Sequence, residues 1–250
     1  MTEDQLKAVA SANATSISTD NLNSLSADQL RALSTDVIHA LSTDQITSLS
    51  EELVGALSSG QAVALTTDQL VNLTDTQISH LSLDAVGALS SAQVSKLETL
   101  DLASMSTEQI AAISSAAAAG LTSDQVSNMG AEQVAAITSA QIVNLSTKAI
   151  EKLTTAQISH LNTSAVSALS SDQVKSIETK DLVNLTTDQI QAISVTAASG
   201  LQVGQIGNLT NDQVKSLTEG QLQTLTTTQL NSLTTEQVAK LSATQVAALT

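Results

Sequence analysis

Cysteine, proline, phenylalanine, tyrosine and tryptophan are all missing from this chain of 250 residues, and glycine occurs only nine times. Without cysteine there are no disulfides and no thiolate metal sites, although the compartment stays open. Without aromatic rings the core loses its largest side chains. Basic residues are scarce as well: 9 against 24 acidic ones, a formal net charge of -15. No basic patch exists to neutralise phosphates, which argues against nucleic acid and against anionic membrane surfaces. No apolar run approaches the roughly 20 residues that span a bilayer, so no membrane insertion is expected. The opening "MTEDQLKAVA" lacks a basic stretch followed by an apolar one, so no secretory signal is visible and export would use another signal. What is present is aliphatic. Leu, Ile and Val number 66, about a quarter of the chain and above the disorder-prone range, which predicts a thin but genuine core.

These residues are strictly periodic. Cut from Met1 in blocks of eight, the chain divides into 31 octads followed by Leu249 and Thr250, with no insertion or deletion. The consensus is L-[ST]-x-[DE]-Q-[ILV]-x-[ASN]. Position 1 is apolar throughout, usually Leu, as at Leu25, Leu33 and Leu41. Position 6 is apolar too, with Ala14, Ala62, Ala118 and Ala198 as its smallest members. Position 2 is Ser or Thr in 25 octads, and position 5 is Gln in 20.

This spacing has a mechanism. Ser or Thr followed three residues later by Gln is a capping box, which satisfies orphan backbone donors at a helix start. With position 2 as N-cap, positions 1 and 6 become the two partners of a hydrophobic staple. Charge agrees: 15 of the 24 acids sit at position 4, near the helix start, and 7 of the 9 bases at positions 7 or 8, near its end. Both placements suit the helix dipole. Each octad therefore carries a complete helix start, and the next begins before a second full turn is finished.

Other readings fit less well. In one continuous helix the apolar stripe would drift by about 80° per octad and cover no single face. A coiled coil needs apolar spacing averaging about 3.5 residues, whereas here it alternates five and three. A parallel β-helix is the serious alternative, yet such turns draw on Gly and Asn, and its calcium-binding form needs a Gly-rich pattern. Gln and Ala, good helix formers, occupy the places that strands give to β-branched residues. The expected fold is all-α: a solenoid of very short, roughly one-turn helices, one per octad, with positions 1 and 6 inside and the polar positions outside.

A longer period overlies the octads. "LETLDLAS" at 97–104 returns as "IETKDLVN" at 177–184, and "ISSAAAAG" at 113–120 as "ISVTAASG" at 193–200. Both pairs are ten octads apart, so 97–176 and 177–250 read as an internal duplication. No linker interrupts the chain, which is expected to form a single repeat array over 1–250. Its stop two residues into an octad suggests a segment of a longer array.

Strings such as "LTTAQISHL" and "LSATQVAALT" resemble the octapeptide arrays, roughly A-L-T-T-x-Q-I-A, of large bacterial repetitive proteins described as surface, adhesion or haem-utilisation proteins. The resemblance covers essentially the whole chain. It implies a bacterial, exported or cell-surface origin and carries over no catalytic residues.

Candidate chemistry is sparse. His39, His80 and His160 sit at helix ends, where a cation suits the dipole, and the last two are copies within the duplication. Ser79, His80 and Asp84 are close in sequence, but triads are defined by geometry, and Ser and Asp recur in most octads. The position-4 carboxylates, such as Asp28, Asp36 and Asp44, would need several oxygens from one flexible segment to hold calcium, and Ala140 and Lys148 break the series. Sequons such as Asn72-Leu73-Thr74 follow from the repeat grammar. Laddered Thr would be spaced about 8–10 Å apart by helix packing, with no evident match to ice. The expectation is no catalytic residue, no metal, no cofactor and no small-molecule substrate. The expected role is a structural spacer or stalk in a large bacterial surface or secreted protein, reaching a protein or surface partner through flanking regions. The alternative is an adhesive, protein-binding solenoid scaffold.

Overall fold

The computed structural model describes residues 2–249; Met1 and Thr250, which bound the octad arithmetic, lie outside the described residues. Each octad starts in extended backbone and ends in a helix. Ser26 (φ -74°, ψ 163°) precedes the helix Ala27–Ala32, and Leu33 returns the chain to φ -66°, ψ 135°. Gln29 N–H donates to Ser26 Oγ at 3.2 Å, and Ser26 N–H donates back to Gln29 Oε1 at 2.9 Å. Leu30 N–H then donates to the Ser26 carbonyl at 2.9 Å, an α-type bond. Leu33 N–H donates to the Leu30 carbonyl at 3.1 Å, the tighter 3₁₀ spacing that closes a helix end. Two extended residues and little more than one helical turn thus fill an octad. No described residue needs a positive φ, so the corners are made without glycine or proline.

Among the described residues this produces thirty α-helices of four to six residues, one 3₁₀ helix and no strand. The all-α solenoid is therefore the architecture, and the β-helix is excluded. The 3₁₀ helix, Ser11–Ser16, falls in an octad with Ala10 at position 2 and Asn13 at position 5, so neither half of the capping box is present. One half is enough elsewhere: Gly130 has no side chain to offer, yet its N–H donates to Gln133 Oε1 at 2.9 Å and Ala131–Ala135 is α-helical.

The chain forms two compact units, Met1–Leu121 and Thr122–Thr250. Within the first, Ser59–Ala64 packs against Thr35–Ala40 before it and Leu83–Ala88 after it. Within the second, Thr163–Ala168 packs against Ser139–Ile142 and Thr187–Ala192. Partners are three octads apart in both units, so one turn of the coil takes three repeats. Position 6 is the most deeply enclosed through Leu222, with Leu30, Ile38, Ile46, Leu70 and Ile78 all inaccessible to solvent, whereas Leu230 is half-buried and Val238 and Val246 are exposed. The alanines Ala14, Ala62, Ala118 and Ala198 are likewise inaccessible and keep the inward register despite their size. Position 1 closes the core beside them, as at Leu33, Leu41 and Leu49.

Candidate functional site

Position 5 does not lie outside. Eighteen of its twenty glutamines are buried, Gln61 and Gln221 to 1% exposure, and only Gln5 and Gln29 are not, which corrects the expectation that every polar position faces solvent. The reason lies in the amide group. Gln61 Oε1 accepts from Ser58 N–H at 3.0 Å, the capping bond. Its Nε2 donates to the Leu30 carbonyl at 2.8 Å and the Leu33 carbonyl at 2.9 Å, both on the preceding turn of the coil. Gln93 repeats this on the Ala62 and Leu65 carbonyls at 3.0 and 2.9 Å, and Gln221 on those of Ile190 and Ile193 at 2.8 and 2.7 Å. The position-1 carbonyl follows extended backbone and has no helical N–H to receive. Buried without a donor it would cost about 1–3 kcal/mol. One side chain therefore caps its own helix and ties it to the turn before.

Where glutamine is absent, other side chains take over its bonds. At Ala165 the Ile137 carbonyl is served by Asn162, whose Nδ2 donates to it at 2.8 Å and to the Ala135 carbonyl at 2.9 Å. Asn162 Oδ1 meanwhile caps the helix by accepting from Ala165 N–H at 2.8 Å. At Leu53 the missing cap acceptor is supplied from the neighbouring turn: Ser50 N–H donates to Asn23 Oδ1 at 2.8 Å. Asn23 Nδ2 also donates to the Ser48 carbonyl at 2.7 Å.

The sequence's candidate reactive groups do not assemble. Ser79 Oγ donates to the Thr76 carbonyl at 2.7 Å, and His80 Nδ1 lies 2.7 Å from that same carbonyl. A carbonyl only accepts, so Nδ1 holds the proton and cannot draw one from Ser79. His80 Nε2 instead faces Glu51 Oε2 at 3.5 Å, on the turn before, and not Asp84. His160 copies the arrangement on the Ala156 carbonyl at 2.7 Å, and His39 Nδ1 meets the Ala64 carbonyl at 2.9 Å. All three are helix-end contacts to backbone. Asp28, Asp36 and Asp44 are exposed, and Asp28 pairs with Arg31 at 3.2 Å. Glu108, also at position 4, is held below the usual carboxylate range first by its own backbone N–H and then by the Ser106 and Thr107 hydroxyls. That is the behaviour of an acid at a helix start. Among the described residues no group of three or more His, Asp or Glu is placed to hold a metal ion. A cleft of about 350 Å³, lined by residues including Leu6, Ile17, Asn21 and Leu25, contains no titratable side chain. No described helix is long and apolar enough to cross a membrane.

What the geometry defines is a solenoid of octapeptide repeats, most of them a capped helix bound to the previous turn by a buried amide. The ALTTAQ repeat matches residues 15–51, 28–59, 94–131, 174–219 and 214–250, together well over half of the chain, which belongs to that repeat family. No curated protein matches it.

Proposed function

We propose that the chain is a structural spacer or stalk segment of a large bacterial repetitive protein, exported or displayed at the cell surface, and that it works without catalysis. The observation that carries this reading is the buried amide tie, repeated with the same partners from turn to turn. Its side chains are spent on holding one turn to the next, and repetition of one interface is what a length-setting element requires. Partners would be engaged through flanking regions. The alternative, a protein-binding scaffold, calls for large apolar side chains gathered on one face. Val63, Leu83 and Leu100 are scattered over octad positions 7, 3 and 4, and Val238 and Val246, in successive octads, occupy the inward position 6 of the array.

The test uses the second unit alone. Asp124 and Thr196 are both exposed position-4 residues, nine octads and hence three turns apart. With no native cysteine, Asp124→Cys and Thr196→Cys give unique labelling sites. Excising 145–168 removes three octads and preserves the order of positions at the junction. The label-to-label distance should fall by one helix spacing, about 8–10 Å, with the helical circular dichroism per residue unchanged. An unfolded product, or an unchanged distance, would overturn the spacer reading.

A further inference from the structure

Only two position-5 residues are ionisable, Asp101 and Asp181, which are equivalent in the 80-residue duplication. Both stand where glutamine would be, and both are buried, to 4% and 2% exposure. Their surroundings differ. Asp181 Oδ1 accepts from the Thr155 hydroxyl at 2.6 Å. The residue 80 places before Thr155 is Asp75, so the corresponding corner of the first unit presents a carboxylate instead of a hydroxyl.

Asp101 keeps one cap bond, accepting from Glu98 N–H at 2.7 Å through Oδ2. The helix Thr99–Ser104 that carries it packs on Asp75–His80. The charged groups on that helix are Asp75 and His80, and His80 is turned toward Glu51. Burial raises the Asp101 pKa above its ordinary value most, and the charges of Glu98 and Asp75 add to it against the Glu98 N–H bond. No cation is among the groups acting on it.

We infer that Asp101 is a proton-sensitive tie within the first unit, which holds the Asp75–His80 and Thr99–Ser104 helices together when neutral and loosens them when ionised. The Asp181 joint has the Thr155 hydroxyl in place of the second carboxylate and is the comparison within the same chain. Because folding raises the Asp101 pKa, its contribution is fully present below the ordinary carboxyl range. It is lost as pH rises through the elevated value.

Hydrogen exchange on the whole chain tests this, with the second joint as internal control. The quantity read is the protection of the Glu98 and Leu102 amides relative to Glu178 and Leu182, corrected for intrinsic exchange, from below the ordinary carboxyl range up to pH 8. The ratio should fall several-fold as pH rises. It should become flat in Asp101→Asn, where the amide oxygen still accepts from Glu98 N–H, and in Asp101→Gln, which restores the consensus. Asp75→Thr, copying the second joint, should reduce the fall without abolishing it. General repulsion among the other acids acts on both joints and largely cancels in the ratio. A flat ratio in the parent chain, or an undiminished fall in both Asp101 variants, would overturn the inference.

Discussion

Replacing Gln61 by Glu is expected to cost about 3–5 kcal/mol at neutral pH, the scale for an uncompensated buried charge. An exposed capping box accepts Glu and Gln alike, since only an acceptor is required. Gln61 is 1% exposed and donates to the Leu30 and Leu33 carbonyls. A carboxylate there removes both donors and sets negative charge against two carbonyl oxygens. Folding would raise the pKa of the new Glu, so the deficit should shrink as pH falls and the neutral carboxyl regains a donor. Gln61→Met keeps the length and loses all three bonds, leaving the Leu33 carbonyl and the Ser58 N–H unserved at about 1–3 kcal/mol each, a loss that does not change with pH. Urea titrations of the three chains at pH 7.5 and 5 rank these effects. A loss below about 1 kcal/mol for Gln61→Glu would mean that the residue is only a cap.

The second large effect belongs to two glycines. A Cβ at Gly200 would overlap the Ser171 carbonyl oxygen and stand 2.8 Å from its carbon, and Gly120 stands likewise against Ser91. These atoms are backbone and cannot swing aside. Gly200→Ala must spread two turns of the coil, costing at least the 1–3 kcal/mol typical of overpacking. Four residues away, a Cβ at Gly204 would meet nothing within 4 Å. Gly204→Ala should therefore stabilise the chain by about 0.5–1 kcal/mol through helix propensity. Thermal midpoints moving in opposite directions are the expected outcome; equal shifts would show that Gly200 is not a contact point.

The helix starts were legible because capping is local: Ser26 and Gln29 are three residues apart, and their reciprocal bonds follow from that spacing. The core was legible too, since Leu30 and Leu33 keep their register in every octad. The number of repeats per turn was not, because the bonds that set it join residues about thirty places apart, as between Gln61 and Leu30. One sign of buried glutamine was nevertheless readable. Position 5 is Gln 20 times and never Glu, although acids are abundant elsewhere. Its substitutes are Asn, Asp or small to medium apolar residues such as Ala85, Val37 and Leu53. An exposed cap would have no reason to reject Glu while accepting Leu. The compensating roles of Asn23 and Asn162 were beyond reach, since each answers a departure from consensus that only packing places beside it. Ser79, His80 and Asp84 are neighbours in sequence only: Ser79 Oγ and His80 Nδ1 both turn to the Thr76 carbonyl, and that placement depends on local backbone which composition does not specify.

The two asparagine substitutions differ in what they demand of heredity. Asn162 and Ala165 lie in one octad, so any recombination at repeat boundaries copies the defect and its remedy together. Asn23 and Leu53 lie four octads apart, and a crossover between them delivers Leu53 to a chain in which nothing meets the Ser50 N–H. Gly200 and Ser171 are separated by comparable distance, and Gly120 and Ser91 repeat the spacing 80 residues earlier, each pair straddling the start of a duplicated block, so that block alone does not carry both members. Arrays of this kind can gain or lose single octads freely only where every repeat is self-sufficient. Elsewhere the smallest heritable piece is the stretch of chain that contains both ends of a contact.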